Sequence, residues 1–186
     1  MIAAAIVAGG RATRMGGVPK GTLLVEGRRI VDRQLEVLRA VFPRVFLVTN
    51  QGDPFRDLGL ALVPDRVPGA GPLAGIDAAL AALAPGEEAV VCVAGDMPYL
   101  SAPALTLLRD GAPGAVALAA PGQPLFARYS RAAAPAVARA LAEGRFKATA
   151  LLDELPAALL DEPSLRALDP QLRFLANVNS PADLLS

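Results

Sequence analysis

The sequence predicts an α/β protein built on a mostly parallel sheet, and three observations lead there. Short apolar runs of strand-forming residues alternate with stretches of helical periodicity, the pattern of repeated βαβ units. No internal repeat, linker or low-complexity tail interrupts the alternation. A glycine-rich loop, Asn50, Asp65 and Asp96 stand just after successive apolar runs, at the carboxyl ends of the predicted strands, where open α/β sheets bind their ligands. With 186 residues, 53% of them hydrophobic, the chain can bury one sizeable core, and a single domain over residues 1–186 is expected.

In chain order, the first strand is the unbroken apolar run Ile2 to Val7. Val31, Leu35, Leu38 and Phe42 follow at spacings of four, three and four, which gives a helix one apolar face. Strand-like runs come next at Val45 to Thr49 and Ala61 to Val63. Leu73 to Leu83 reads as an alanine-rich helix, and Ala89 to Ala94 as the fourth strand. Ser101 is placed to cap a helix carrying Leu105 and Leu108. Ala115 to Ala119 is a further strand, and Leu125 to Tyr129 an antiparallel or edge strand. Arg131 to Glu143 reads as a helix stopped by Gly144, with Pro135 either kinking it or marking its true first turn.

Composition excludes several classes of function. Eighteen basic and 18 acidic residues give a net charge of zero, with no basic run and no aromatic ladder for nucleic acid. The absence of histidine removes Ser-His-Asp and Cys-His triads and histidine-held zinc or iron. A metal would therefore be held by oxygen, with Mg²⁺ on a substrate phosphate the natural candidate. Cys92, the one cysteine, lies in an apolar run where burial makes it inert. No apolar stretch is long enough to span a bilayer, and the first residues lack the basic start of a signal peptide, so a cytoplasmic protein is expected.

The first strand empties into Ala8-Gly9-Gly10-Arg11-Ala12-Thr13-Arg14-Met15-Gly16-Gly17-Val18-Pro19-Lys20. Glycines let backbone N–H groups approach an anion closely, and the cationic side chains neutralise it, so this segment reads as a polyphosphate site. It is neither a Walker A loop nor a G-x-G-x-x-G loop. Lysine survives only at Lys20 and Lys147, and asparagine only at Asn50, Asn177 and Asn179, in a chain whose other cations are all arginine. Asn50 follows the second predicted strand, Asp65 the third and Asp96 the fourth, so all of them can face the crevice that receives the glycine loop. Asp96, with Gly95 leaving room beside it, suits a metal ligand or alternatively a turn cap before Pro98. Asp65 suits an acceptor for a base or a turn residue before Arg66. The small residues of the run Gly69 to Gly75 permit close contact with a flat base or a ribose, or simply form a loop.

In order along nearly the whole chain, the glycine loop with Arg14, Met15, Gly16 and Lys20, then Asp65, Gly-Pro-Leu-Ala-Gly at 71–75, Gly-Asp-Met-Pro at 95–98, Gln123-Pro124-Leu125 and Asn177-Val178-Asn179-Ser180-Pro181-Ala182-Asp183-Leu184 resemble the molybdenum cofactor guanylyltransferases. The resemblance implies a Rossmann-like three-layer α/β/α sandwich of the nucleotide-diphospho-sugar transferase type. It also implies Mg²⁺-dependent transfer of GMP from GTP to molybdopterin cofactor. By matching position, Val7, Ala8, Gly9, Gly10 and Lys20 belong to the nucleotide loop, with Arg14 and Lys20 stabilising pyrophosphate. Asn50, Asp65 and Gly71 fall on the guanosine side, Asp96 on the metal and phosphates, and Asn177 and Asn179 on the pterin side. Protein partners implied are those that carry or receive the cofactor. Pro19 departs from the family's Asp before the lysine and resembles sugar and isoprenoid nucleotidyltransferases. Cytidylyl transfer, sugar-phosphate transfer and a non-catalytic nucleotide-binding module are the alternative readings.

Overall fold

The protein is described by a computed structural model covering residues 1–8 and 19–178. Its elements are β1 (Ile2–Val7), β2 (Leu24–Val25), β3 (Arg28–Arg29), α1 (Ile30–Val41), β4 (Val45–Val48), β5 (Leu62–Val63), α2 (Pro72–Ala81), β6 (Ala89–Ala94), α3 (Ala102–Asp110), β7 (Ala117–Ala120), β8 (Gln123–Ser130), α4 (Ala134–Ala142), α5 (Ala148–Glu154), β9 (Ala157–Leu159) and α6 (Glu162–Leu168). Seven strands form one sheet in the order β5-β4-β1-β6-β8-β7-β9, and β2 and β3 form a separate hairpin. Strand β8 runs antiparallel to both its neighbours, and every other pair in the large sheet is parallel.

Alternation along β1 builds both sides of the core. Ala3, Ala5 and Val7 face α2, α4 and α5, whereas Ala4 and Ile6 face α1, α3 and α6. A strand covered on both faces needs apolar residues at every position, which is why the β1 and β6 sequences are unbroken apolar runs. The result is the three-layer sandwich expected from the sequence.

The chain leaves β1 toward β4 and β5 on one side, then crosses back through α2 to enter β6 on the other. That reversal opens a crevice at the carboxyl ends of β1 and β6.

Several boundaries differ from the sequence reading. Leu125 to Tyr129 belongs to an antiparallel strand, as expected, but β8 lies between β6 and β7 and is not an edge. The alanine-rich helix stops at Ala81, two residues before Leu83. Arg131–Ala133 is a separate 3₁₀ turn, so Pro135 sits in the first turn of α4, where its missing N–H costs nothing. Ser101 occupies the N-cap of α3 without a side-chain capping bond. The β2–β3 hairpin, α5, β9 and α6 were not anticipated.

Candidate active site

Asp96 stands two residues beyond β6, and the local sequence explains how it reaches the crevice. A Cβ at Gly95 would come within 3.0 Å of Ala8 Cα and Cβ, so glycine there lets the exits of β1 and β6 touch. The Gly95 N–H donates to the Val7 carbonyl at 2.9 Å across that contact. Lys20 opens a 3₁₀ turn, Lys20–Thr22, and its Nζ lies 2.9 Å from Asp96 Oδ2. The pair is partly solvated, with side chains 30% and 18% exposed, and so remains accessible to a ligand. From the far end of the chain, the Val178 N–H donates to the Asp96 carbonyl at 2.8 Å. Val178 is itself buried with Val25 and Ile30, which ties the Asn177-Val178 segment to this turn and leaves Asn177 exposed beside it.

The second cluster lies at the ends of β4 and β5. Asn50 Oδ1 accepts the Asp65 backbone N–H at 2.8 Å, and Asn50 Nδ2 donates to Asp65 Oδ2 at 3.3 Å. The asparagine thus orients the carboxylate, which explains why it persists in so arginine- and alanine-biased a chain. Asp65 Oδ1 is buried and has no hydrogen-bond partner among the described residues. Burial pushes the Asp65 carboxyl above the usual aspartate range, and the Asn50 hydrogen bond only partly offsets it. An orphaned acceptor at a strand's carboxyl end is a place for a ligand donor.

Sequence reading missed the support beneath this cluster. Arg66 donates to both oxygens of buried Asp77 on α2, at 2.8 and 2.7 Å, and clamps the loop that carries Asp65. No local pattern announces this pair, because its members are 11 residues apart and meet only when α2 packs.

The glycines of α2 also need reinterpretation. A Cβ at Gly75 would lie 2.3 Å from Val7 Cγ1, so Gly75 is small to seat α2 on β1 and not to receive a base or ribose. Gly71 is the N-cap of α2 at φ +66°, a left-handed conformation that favours glycine, and a Cβ there would meet no atom of the described residues within 4 Å. Val7 is buried in the core, and Ala8 is half-buried with its N–H on the Val48 carbonyl at 2.9 Å. Gly9, Gly10, Arg14 and Asn179 lie outside the described residues. Cys92 is fully buried, and desolvation pushes its thiol up to about 12, as its apolar surroundings led us to expect.

Among the described residues no group of three or more His, Cys, Asp or Glu side chains is arranged to hold a metal. The one carboxylate of Asp96 in the crevice suits Mg²⁺, which keeps several waters and takes most of its remaining ligands from substrate phosphates. The arrangement offers a cation, Lys20, beside the Asp96 carboxylate at the exits of β1 and β6, and a buried acceptor, Asp65 Oδ1, at the exit of β5.

The MobA-like NTP transferase domain family matches residues 4–159 of the sequence. The chain belongs to that family. Similar members include a probable molybdenum cofactor guanylyltransferase of Methanosarcina mazei, 34% identical over 198 residues that cover 97% of this chain and 87% of that one. Another, from Pelotomaculum thermopropionicum and named likewise, is 36% identical and covers 97% and 88%. The solved structure of molybdopterin-guanine dinucleotide biosynthesis protein A from Archaeoglobus fulgidus superposes with a TM-score of 0.82 at 28% identity, covering 100% of this chain and 95% of that one.

Proposed function

We propose that this MobA-like transferase moves GMP from GTP onto the terminal phosphate of molybdopterin, forming molybdopterin guanine dinucleotide and pyrophosphate. A lone pair on the acceptor's phosphate oxygen forms a bond to the α-phosphorus. The bridging bond from the α-phosphorus to the β-phosphate oxygen breaks in line, and pyrophosphate leaves with that electron pair. A phosphate monoester is already anionic near neutral pH, so the step needs no general base, which suits a chain without histidine. Catalysis is positioning and charge stabilisation. Lys20 neutralises the departing phosphates, with Arg14 as a second cation from the glycine loop. Asp96 would hold Mg²⁺, which when bound supplies positive charge to the phosphates.

The observation that carries the choice of guanine is the orphaned Asp65 Oδ1. Guanine N1–H and N2–H₂ form a donor pair that a carboxylate accepts, and adenine and cytosine offer no such pair. Asn50, by holding the other oxygen, aims the carboxylate. Asn177, exposed next to the Val178 N–H that holds the Asp96 carbonyl, would meet the molybdopterin side of the acceptor. We place the reaction in the cytoplasm, with transient delivery or receipt of the cofactor by other proteins. Among the described residues no helix is long and apolar enough to cross a membrane.

The test is pyrophosphate release from GTP and from CTP, each with and without molybdopterin. The expected result is release that needs both GTP and molybdopterin. Equal rates with CTP would refute the guanine assignment, and release independent of the acceptor would refute transfer.

A further inference from the structure

Gln34 stands on the buried face of α1, between Val31 and Leu38, at a position where the apolar pattern calls for a hydrocarbon. Its side chain is completely buried, and both hydrogens of its amide are spent on one turn. Nε2 donates to the Ala94 carbonyl at 2.7 Å and to the Met97 carbonyl at 3.0 Å. These two carbonyls bracket Asp96. The same Ala94 carbonyl accepts the Met97 N–H at 3.3 Å, so the turn that presents Asp96 closes on an atom that Gln34 holds. The preceding residue on α1, Arg33, adds a third donor, with Nε on the Pro98 carbonyl at 3.1 Å.

This arrangement carries a cost that packing alone would avoid. Gln34 Oε1 is buried with no partner among the described residues, and an unsatisfied buried acceptor costs about 1–3 kcal/mol. Leucine or methionine would fill a similar volume without that penalty. The two donated bonds are what the amide provides in return, and both fall on the turn that carries Asp96.

We propose that Gln34 is a positioning residue for Asp96: it fixes the turn after β6 so that the carboxylate faces the phosphates and the metal they bring. The proposal rests on the reading of Asp96 as the metal and phosphate ligand. Two other backbone contacts hold the turn, but not at the Met97 carbonyl that Gln34 binds. Gly95 N–H anchors its start to Val7, and Val178 N–H holds the Asp96 carbonyl, but neither reaches Met97.

The experiment compares Gln34→Met with the wild type and with Asp96→Asn. Four quantities are measured: kcat, KM for GTP, Mn²⁺ binding in the presence of GTP by electron paramagnetic resonance, and the thermal midpoint without ligand. Methionine keeps the volume and removes both donors. Misplacing a catalytic group by about an ångström costs on the order of a hundredfold in rate. We therefore expect kcat to fall by between about ten- and a hundredfold, with KM for GTP within about twofold. Mn²⁺ should bind several-fold more weakly, while the thermal midpoint stays close to that of the wild type. Wild-type kcat and Mn²⁺ affinity in Gln34→Met would overturn the proposal. So would parallel loss of stability, GTP affinity and rate, which is the signature of packing. If Gln34→Met does not fold, Gln34→Leu is read by the same criteria, and failure of both to fold assigns the side chain to packing and overturns it. Asp96→Asn separates the two levels. An active Asp96→Asn enzyme refutes the underlying reading and the proposal with it, whereas an inactive one beside an unaffected Gln34→Met enzyme refutes the proposal alone.

Discussion

Replacing Gly75 with alanine tests the contact that seats α2 on β1. The new Cβ would sit 2.3 Å from Val7 Cγ1, well inside contact distance, and at an ordinary 3.5 Å from Val7 Cβ and Cγ2. Val7 is buried and β-branched, so it cannot swing away without displacing other core atoms. Overpacking costs about 1–3 kcal/mol, and a 2.3 Å approach to a buried β-branched side chain falls in the upper part of that range, about 2–3 kcal/mol; alanine's better helix propensity returns about 1 kcal/mol, so the net loss should be about 1–2 kcal/mol. Val7→Ala alone removes two methyl groups and leaves a cavity, at a cost of about 2 kcal/mol. In that background the clash is gone, and Gly75→Ala should stabilise by up to about 1 kcal/mol, reversing its sign. Urea denaturation of the wild type, both single variants and the double variant, analysed with a common slope, measures the cycle. The reasoning fails if Gly75→Ala is neutral in the wild type, or if its effect is the same in both backgrounds.

Three further outcomes follow from the site and its surroundings. Asp65 must be ionised to accept from guanine, and burial raises its pKa, so GTP affinity should fall on acidification before an ordinary aspartate would protonate; in Asp65→Asn, titration calorimetry should show weak binding with that acid limb gone. Lys20→Ala should weaken GTP more than guanosine, because the ammonium meets phosphates and not the base, and equal losses would contradict its placement. Buried Glu87 is held below its usual pKa first by Arg44, which donates to its two oxygens at 2.7 and 2.6 Å. Its stabilising contribution is therefore fully present above the unfolded-state pKa and is lost as pH falls through the lower folded value. Glu87→Gln should cost roughly 1–3 kcal/mol at neutral pH and shrink the acid-induced loss of stability seen in urea titrations.

Much of this site was legible in the sequence because parallel strands buried on both faces announce themselves and ligands gather at their carboxyl ends. That rule alone placed Asn50, Asp65 and Asp96 at the exits of β4, β5 and β6. What could not be read were contacts made only on packing. A glycine at 75 is visible, but Val7 beneath it is not, so the segment suggested a ligand where it serves helix seating. Gln34 looks like a break in an apolar stripe until its amide meets Ala94 and Met97. The β2–β3 hairpin escaped because its turn is Glu26-Gly27, with both residues at positive φ, and not the usual Asn-Gly or Asp-Gly. The edge strand β9, three residues long with two of them alanine, has too little period to stand out.

The central claim is nucleotidyl transfer at the α-phosphorus, and isotopic labelling tests it most directly. The protein is incubated with molybdopterin and Mg²⁺, once with GTP labelled at the α-phosphate and once at the γ-phosphate, and the products are separated. The account predicts that the α label appears in molybdopterin guanine dinucleotide and the γ label in pyrophosphate. Label from the γ-phosphate on the acceptor, or the α label released as free GMP with molybdopterin unchanged, would contradict it.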